Sequence, residues 1–256
     1  MRIGIALAFL TTLFGAAPIA PTPTDPTANE RAEQTRPLIR PGEDLHYTVQ
    51  SSRMGRLGTA EMKVQAGEII DGMPVYELSF AFSGKVALFK IRDETRSWLR
   101  VDSLCTVRYS KHERSPISRR DEDVVVDRTL NQWADGKNRA PLASDHPLDE
   151  LSFIYLVRSL DLKVSEVVEI RRHFDVRRNP VRIEAVAKQD VDGRAVVVYE
   201  MRVPDPRQKN GTSSIRFFIS DDAARIPLRI ESSMPMAGTI VMTLASAQSL
   251  PIAASR

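Results

Sequence analysis

Few side chains in this sequence have the type and spacing for chemistry, and those that do are scattered. His46, His112, His146 and His173 stand in four separate segments. No two share the close spacing that lets a pair of imidazoles grip one metal ion from a single element, and Cys105 is the only thiol. No metal site and no cofactor is therefore expected. His46 lies between Leu45 and Tyr47 on the polar parity of an alternating run, which makes it a surface residue. Cys105 lies in an apolar alternating run and reads as a buried, inert thiol. Walker loops, HExxH pairs, GxSxG elbows, CxxC motifs and dinucleotide fingerprints are all missing from the sequence.

Charged clusters are the remaining candidates. Asp121-Glu122-Asp123 and Asp221-Asp222 are acidic, but glycosidase-type chemistry needs two carboxylates facing across a groove at about 5–9 Å. Neighbours at a strand start or in a turn do not meet that demand. Asp221-Asp222-Ala223-Ala224 reads as a β-turn whose Asp side chains satisfy backbone donors. The densest basic run is Arg171-Arg172-His173-Phe174-Asp175-Val176-Arg177-Arg178. It would suit an anionic membrane surface, yet in a strand Arg171 and Arg172 point to opposite faces, so a solvated edge is expected instead. Asn210-Gly211-Thr212 matches both a glycosylation acceptor and a plain hairpin turn. No catalytic residue is assigned, and a non-catalytic protein is the expectation.

The elements that must position these groups are mostly strands. Period-two alternation recurs from Leu45-Tyr47-Val49 through Ala60-Met62-Val64 to Ile240-Met242-Leu244. Tyr76, Leu78, Phe80 and Phe82 form the most apolar single face. The segment 86–91 is apolar on both parities and fits a strand or a short helix. Asp192-Gly193 between two alternating runs is the strongest hairpin signal. One segment departs from alternation: Leu148, Leu151, Ile154, Tyr155 and Arg158 recur at helical spacing behind Ser144-Asp145-His146-Pro147. The expected fold is mainly β, with about twelve antiparallel strands curled into one barrel, half-barrel or sandwich. A single helix near residues 147–160 covers or plugs the concave side.

The ends bound the compartment. Met1-Arg2, the apolar run from Ile3 to Leu10 and the small residues Gly15, Ala16 and Ala17 read as a secretory signal over 1–20, too short for a stable transmembrane span. Prolines 18, 21, 23 and 26 follow, and residues 21–40 read as a Pro/Thr-rich flexible leader. Residues 41–250 then form a single β-rich domain. The expected location is periplasmic. Cys105 is far from the signal, so a cysteine-linked lipid anchor and an internal disulfide are both excluded. Thirty-six basic and thirty-three acidic residues leave a net charge of +3 with 6% aromatics and no long like-charge block. Nucleic-acid binding has no support.

Three phrases carry a resemblance. They are Pro41-Gly42-Glu43-Asp44-Leu45-His46-Tyr47-Thr48-Val49 with Gly55 and Gly58-Thr59-Ala60, then Asp149-Glu150-Leu151-Ser152-Phe153-Ile154-Tyr155-Leu156-Val157-Arg158. The third is Phe217-Phe218-Ile219-Ser220-Asp221-Asp222-Ala223-Ala224-Arg225-Ile226-Pro227-Leu228-Arg229-Ile230. Their order and spacing over nearly all of 41–248 resemble the bacterial exported domain-of-unknown-function family number 3108. The resemblance implies an exported, β-rich envelope protein and transfers no catalytic residue. Two departures are visible: the first strand lacks the aromatic common before the glycine turn, and Phe218 stands where a tryptophan is common. The functional expectation is a binding module for an apolar or amphipathic envelope ligand such as a lipid, held in a concavity lined by Tyr76, Leu78, Phe80, Phe82 and Phe217. The alternative is a structural or assembly protein meeting other envelope proteins. A hydrolase with an unrecognised site is third.

Overall fold

The computed structural model describes residues 26–86, 89–115, 118–205, 211–234 and 237–248. The expected signal at 1–20 and Asn210 of the glycosylation pattern lie outside the described residues. Fourteen strands run as β1 Asp44–Ser51, β2 Gly55–Ile70, β3 Met73–Val86, β4 Phe89–Arg100, β5 Thr106–Ser115, β6 Ser118–Asp127, β7 Gln132–Asp135 and β8 Asn138–Pro141, then β9 Val167–Ile170, β10 Val181–Val191, β11 Arg194–Asp205, β12 Gly211–Ser220, β13 Pro227–Met234 and β14 Gly238–Gln248. Every pairing is antiparallel. β1 pairs with both β2 and β14, which joins two meanders into one open sheet of order 8-7-6-5-4-3-2-1-14-13-12-11-10-9. Its two edges, β8 and β9, are neighbours along the chain, and the helix α2 (Glu150–Val157) lies in the connection between them.

The expected antiparallel sheet and its helix are present, in the open form, with fourteen strands in place of about twelve. β8 has the sequence Asn-Arg-Ala-Pro, which offers no alternation to read. Of the ambiguous 86–91 segment, Val86 ends β3 and Phe89, Lys90 and Ile91 open β4, while residues 87 and 88 lie outside the described residues. Asp192-Gly193 makes the expected hairpin between β10 and β11, with φ of 51° and 78° at its two central residues.

The helix is shorter than expected, eight residues in place of about fourteen. Asp149 is the N-cap, in a capping box with Ser152, so the chain before it is extended and Leu148 bridges to His173. All eight helical residues are buried. A helix buried on every side has no solvent face, and the sheet encloses it: residues of β1–β4 and β9–β14 share one core with Leu151, Phe153, Ile154, Tyr155, Leu156 and Val157. Among the described residues no helix is long and apolar enough to cross a membrane.

The leader is corrected in part. Within 21–40, Pro26–Gln34 forms the helix α1, which packs on β9. Ala28 and Ala32, one turn apart, are buried. Asn29 Oδ1 accepts from the Glu169 amide at 2.8 Å, and Glu33 Oε1 accepts from the Arg171 amide at 2.5 Å. α1 therefore covers the β9 edge and takes its unpaired donors. The low apolar content of this stretch hid that role, because the contact uses two alanines and polar side chains.

One buried knot joins the three resemblance phrases. Arg158, fully buried, donates to Glu43 Oε1 at 2.6 Å and Oε2 at 2.7 Å, and its Nε donates to the Arg225 carbonyl at 2.9 Å. Arg225 donates in return to the carbonyls of Arg158 (2.9 Å) and Leu160 (2.7 Å), and Tyr47 donates to the Pro227 carbonyl at 3.0 Å. Removing one partner of a buried, bidentate pair strands the other charge. Glu43→Ala should therefore cost about 3–5 kcal/mol in chemical denaturation. Glu43→Gln with Arg158→Met should cost less than the sum of the single changes. A single-variant loss below about 1 kcal/mol refutes the assignment.

Candidate functional site

The expected apolar concavity is not assembled. Leu78, Phe80, Phe82 and Phe217 are all buried in the core that wraps α2, so the helix fills the space a ligand was expected to take. Phe82 reaches the rim of one surface groove, and half-buried Tyr76 lines a different cleft. Among the described residues, the five line no common surface cavity. The physical reason is the buried helix, whose apolar side chains Leu151, Phe153, Ile154, Leu156 and Val157 pack in the same core.

Two clefts open instead at the two ends of α2. The larger, about 820 Å³, lies at the C-terminal end and includes Tyr76, Leu38, Arg158, Leu160 and Arg225. Arg158 and Arg225 belong to the knot described above, and Arg36 donates to the Asp102 carbonyl at 2.7 Å, so it is a structural junction. The smaller, about 590 Å³, lies at the N-terminal end, on the seam between the two sheet edges. Arg120, Glu122 and Val124 of β6, Trp133 of β7 and Arg139 of β8 form one wall. Phe174, Asp175, Arg177 and Arg178 form the other, with Glu150 between them.

Local hydrogen bonding sets this second cleft. Asp149 Oδ1 accepts from the amides of Leu151 (2.9 Å) and Ser152 (3.0 Å). Its Oδ2 accepts from the hydroxyls of Ser97 on β4 and Thr106 on β5. The helix start is thereby pinned to the sheet, which delivers Glu150 to the seam. On the facing side, Asn179 brackets the loop: it accepts from the His173 amide (3.0 Å) and donates to the His173 carbonyl (2.9 Å). The Asp175 amide donates to His173 Nδ1 at 3.1 Å, which puts the proton of the neutral ring on Nε2.

Glu150 then meets Arg178 Nη1 at 3.2 Å and His173 Nε2 at 3.7 Å. The second distance is an ion-pair separation, too long for a hydrogen bond. Burial opposes ionisation of Glu150, but Arg178 and His173 outweigh it and hold the carboxyl well below the usual glutamate range. Burial has the upper hand at Asp149 and pushes its carboxyl up, against the bonds from Ser97 and Thr106. Behind the cleft, Trp133 meets Phe174 edge-on at 5.6 Å, and Phe174 lies 6.3 Å from Tyr109. Trp133 Nε1, Glu150 Oε2 and His173 Nε2 are buried with no hydrogen-bond partner among the described residues. Buried groups in a native fold are normally satisfied.

The Arg171–Arg178 run, expected in a strand as a solvated edge, lies beyond β9, which ends at Ile170, and its Phe174, Asp175, Arg177 and Arg178 line the cleft. Arg172 is buried and donates to the carbonyls of His146 (3.0 Å) and Thr35 (2.7 Å), while Arg178 pairs with Glu150 and Arg177 with Asp175. The signal for this was Asp175 two residues before Arg177, which caps a short 3-10 turn at Val176–Arg178. Glu150 and Trp133 carried no such signal, because their partners lie far along the chain.

The other candidates resolve into structural or surface roles. Asp222 accepts from Ser220 Oγ (2.7 Å) and from the amides of Ala224 (2.9 Å) and Arg225 (3.1 Å), the expected turn. Asp121 sits among His112, Arg114 and Arg119, whose hydrogen bonds lower its pKa. His46 is at the surface, as expected, and groups with Asp44 and Glu61 in an arrangement of metal-ligand type. Lys63 Nζ lies 2.9 Å from Glu61 and 3.6 Å from Asp44, and its ammonium supplies the positive charge there. Cys105 is buried as expected, with His146 Nδ1 at 3.6 Å. The zero exposure of that thiol leaves no approach for a substrate.

A depressed folded-state carboxyl contributes stability above the ordinary carboxylate range and loses it as pH falls through the folded value. The stability advantage of the wild type over Glu150→Gln should therefore shrink between about pH 5 and pH 2. Denaturation midpoints taken across that range check it. A gap that stays constant or widens on acidification contradicts the pairing with Arg178 and His173. Asp222→Ala should lower stability by about 1–2 kcal/mol through the lost turn bonds.

Comparison with known proteins places this geometry. No curated protein matches the chain. Among solved structures, a β-barrel-like protein of domain of unknown function DUF1849 from Brucella abortus is similar, with a TM-score of 0.57 at 10% identity over 84% of this chain and 100% of that one. It supports the β-barrel-like fold. The Mycobacterium tuberculosis lipoprotein LppX aligns over 88% of this chain and 93% of its own at 12% identity, with a TM-score of 0.26 that carries no argument. The model of the family described as protein of unknown function DUF3108 matches residues 45–245, which include α2, the seam cleft and most of the knot. The chain belongs to that family.

Proposed function

We propose that the protein is an exported, non-catalytic binding module of the bacterial periplasm, whose seam cleft takes an amphipathic envelope ligand. Export rests on the signal-like residues 1–20. The observation that carries the binding reading is buried Trp133 Nε1 without a hydrogen bond, beside His173 Nε2 and Glu150 Oε2 that stand 3.7 Å apart without one, at a cleft of about 590 Å³. Val124, Trp133, Ala140 and Phe174 supply apolar surface for one part of the ligand. Arg120, Arg139, Arg177 and Arg178 face Glu122, Asp135, Glu150 and Asp175 around the same cleft. Cations balanced by carboxylates favour a zwitterionic or hydroxyl-rich head over a bare anion.

Assembly through a strand edge is the weaker alternative. α1 covers β9, and β8 is four residues long and ends at Pro141, a poor template for another strand. Native mass spectrometry of protein purified from its own envelope tests the binding reading. The expected result is a small-molecule adduct that Trp133→Phe retains about tenfold less well, the loss of one buried hydrogen bond. Ligand-free protein throughout, with no uptake from an envelope lipid extract, overturns it.

A further inference from the structure

We propose that the end of the sheet carrying the β3–β4 hairpin docks on an anionic phospholipid membrane. A groove of about 610 Å³ at that end is lined by Arg56, Lys85, Lys90 and Arg92 together with Leu57, Gly58, Ser83, Gly84 and Ile91. It has four cations and no carboxylate. Arg56, Lys85, Lys90 and Arg92 are all exposed, and among the described residues none of them forms an ion pair, whereas Arg31, Arg96, Arg100, Lys188 and others on the surface do.

The strand register makes the concentration of charge more telling. Lys85 and Lys90 are direct cross-strand partners, and Ser83 pairs with Arg92. Like charges placed opposite each other destabilise a sheet, so the arrangement favours an external anion. Gly58 pairs with Gly84 at the floor of the groove. A Cβ on Gly58 would sit 2.2 Å from the Ser83 carbonyl oxygen, so the two backbones approach as no other residue type allows.

Beside the cations, Phe89 opens β4 next to Lys90 and is 57% exposed. Apolar surface flanked by lysines matches the two-part demand of an interface, where rings enter the headgroup boundary and cations meet phosphate. At the opposite end of the sheet the charges are balanced, with Asp102, Asp221 and Asp222 in or beside the turns paired to Arg100, Lys188 and Arg194. Charge complementarity therefore selects one end for an anionic membrane. This surface is separate from the seam cleft and stands whether or not the cleft holds a ligand.

Co-sedimentation of the purified protein with vesicles tests the proposal. Phosphatidylcholine vesicles carrying about one-third phosphatidylglycerol should bind the protein, and phosphatidylcholine alone should bind it much less. Raising salt from about 0.05 M to 0.5 M should release it. Lys85→Gln with Lys90→Gln should weaken partitioning about 25-fold, at about fivefold for each cation lost. These side chains are exposed, so the variant should keep its circular dichroism and melting temperature. Phe89→Trp should bind equally and show a blue-shifted emission on the anionic vesicles. No lipid-dependent sedimentation, or binding that the double variant leaves unchanged, overturns the proposal. Competition by millimolar inorganic phosphate in a protein that ignores vesicles reassigns the groove to a soluble anion and also overturns it.

Discussion

Eight consecutive buried residues leave α2 no face for water, and the rest of the architecture follows from having to enclose it. Isolated, such a short helix would not persist. It is held because the open sheet curls around it and because both of its ends are tied by charged or capped side chains. Asp149 anchors the start to β4 and β5, and Arg158 anchors the finish to Glu43 and the Arg225 turn. The apolar face formed by Leu78, Phe80, Phe82 and Phe217 is consumed in that packing. What remains for a ligand lies at the helix ends, where the sheet does not close.

Those ends differ in one respect that decides their roles. At the C-terminal end every guanidinium proton that matters has an acceptor within about 3 Å, so the desolvation of Arg158 and Glu43 is repaid by geometry alone. At the N-terminal end the distances are longer, and buried donors and an acceptor are left over beside an aromatic wall. A closed pair makes a rivet. An incomplete one leaves polar groups for which a bound polar atom would be a partner, which is the basis of the proposed binding role.

Much of the fold was legible in the residues. Alternation located most strands, the Asp-Gly pairs located hairpins, and helical spacing located α2 to within a few residues of its ends. The misses have specific causes. β8 has no alternation, the Asp149 cap shortened the helix, and α1 binds the β9 edge through alanines and polar groups that composition treats as linker. The candidate site was largely illegible. The obvious basic run, Arg171–Arg178, spends charges on Glu150, Asp175 and main-chain carbonyls, while Arg56, Lys85, Lys90 and Arg92, without ion pairs among the described residues, come together from β2, β3 and β4.

By itself the sequence determined the antiparallel β class, the membership signalled by its three phrases, the lone buried thiol and the lack of a readable catalytic motif. These are local properties, carried by periodicity, turn chemistry and residue type within a few positions. Only the tertiary structure decided that the concave face is full, that two clefts flank the helix, and that positive charge gathers at one end of the sheet. Each of those depends on register between strands distant in the chain. A one-residue slip there would turn every side chain to the other face, so spacing along the sequence cannot supply them.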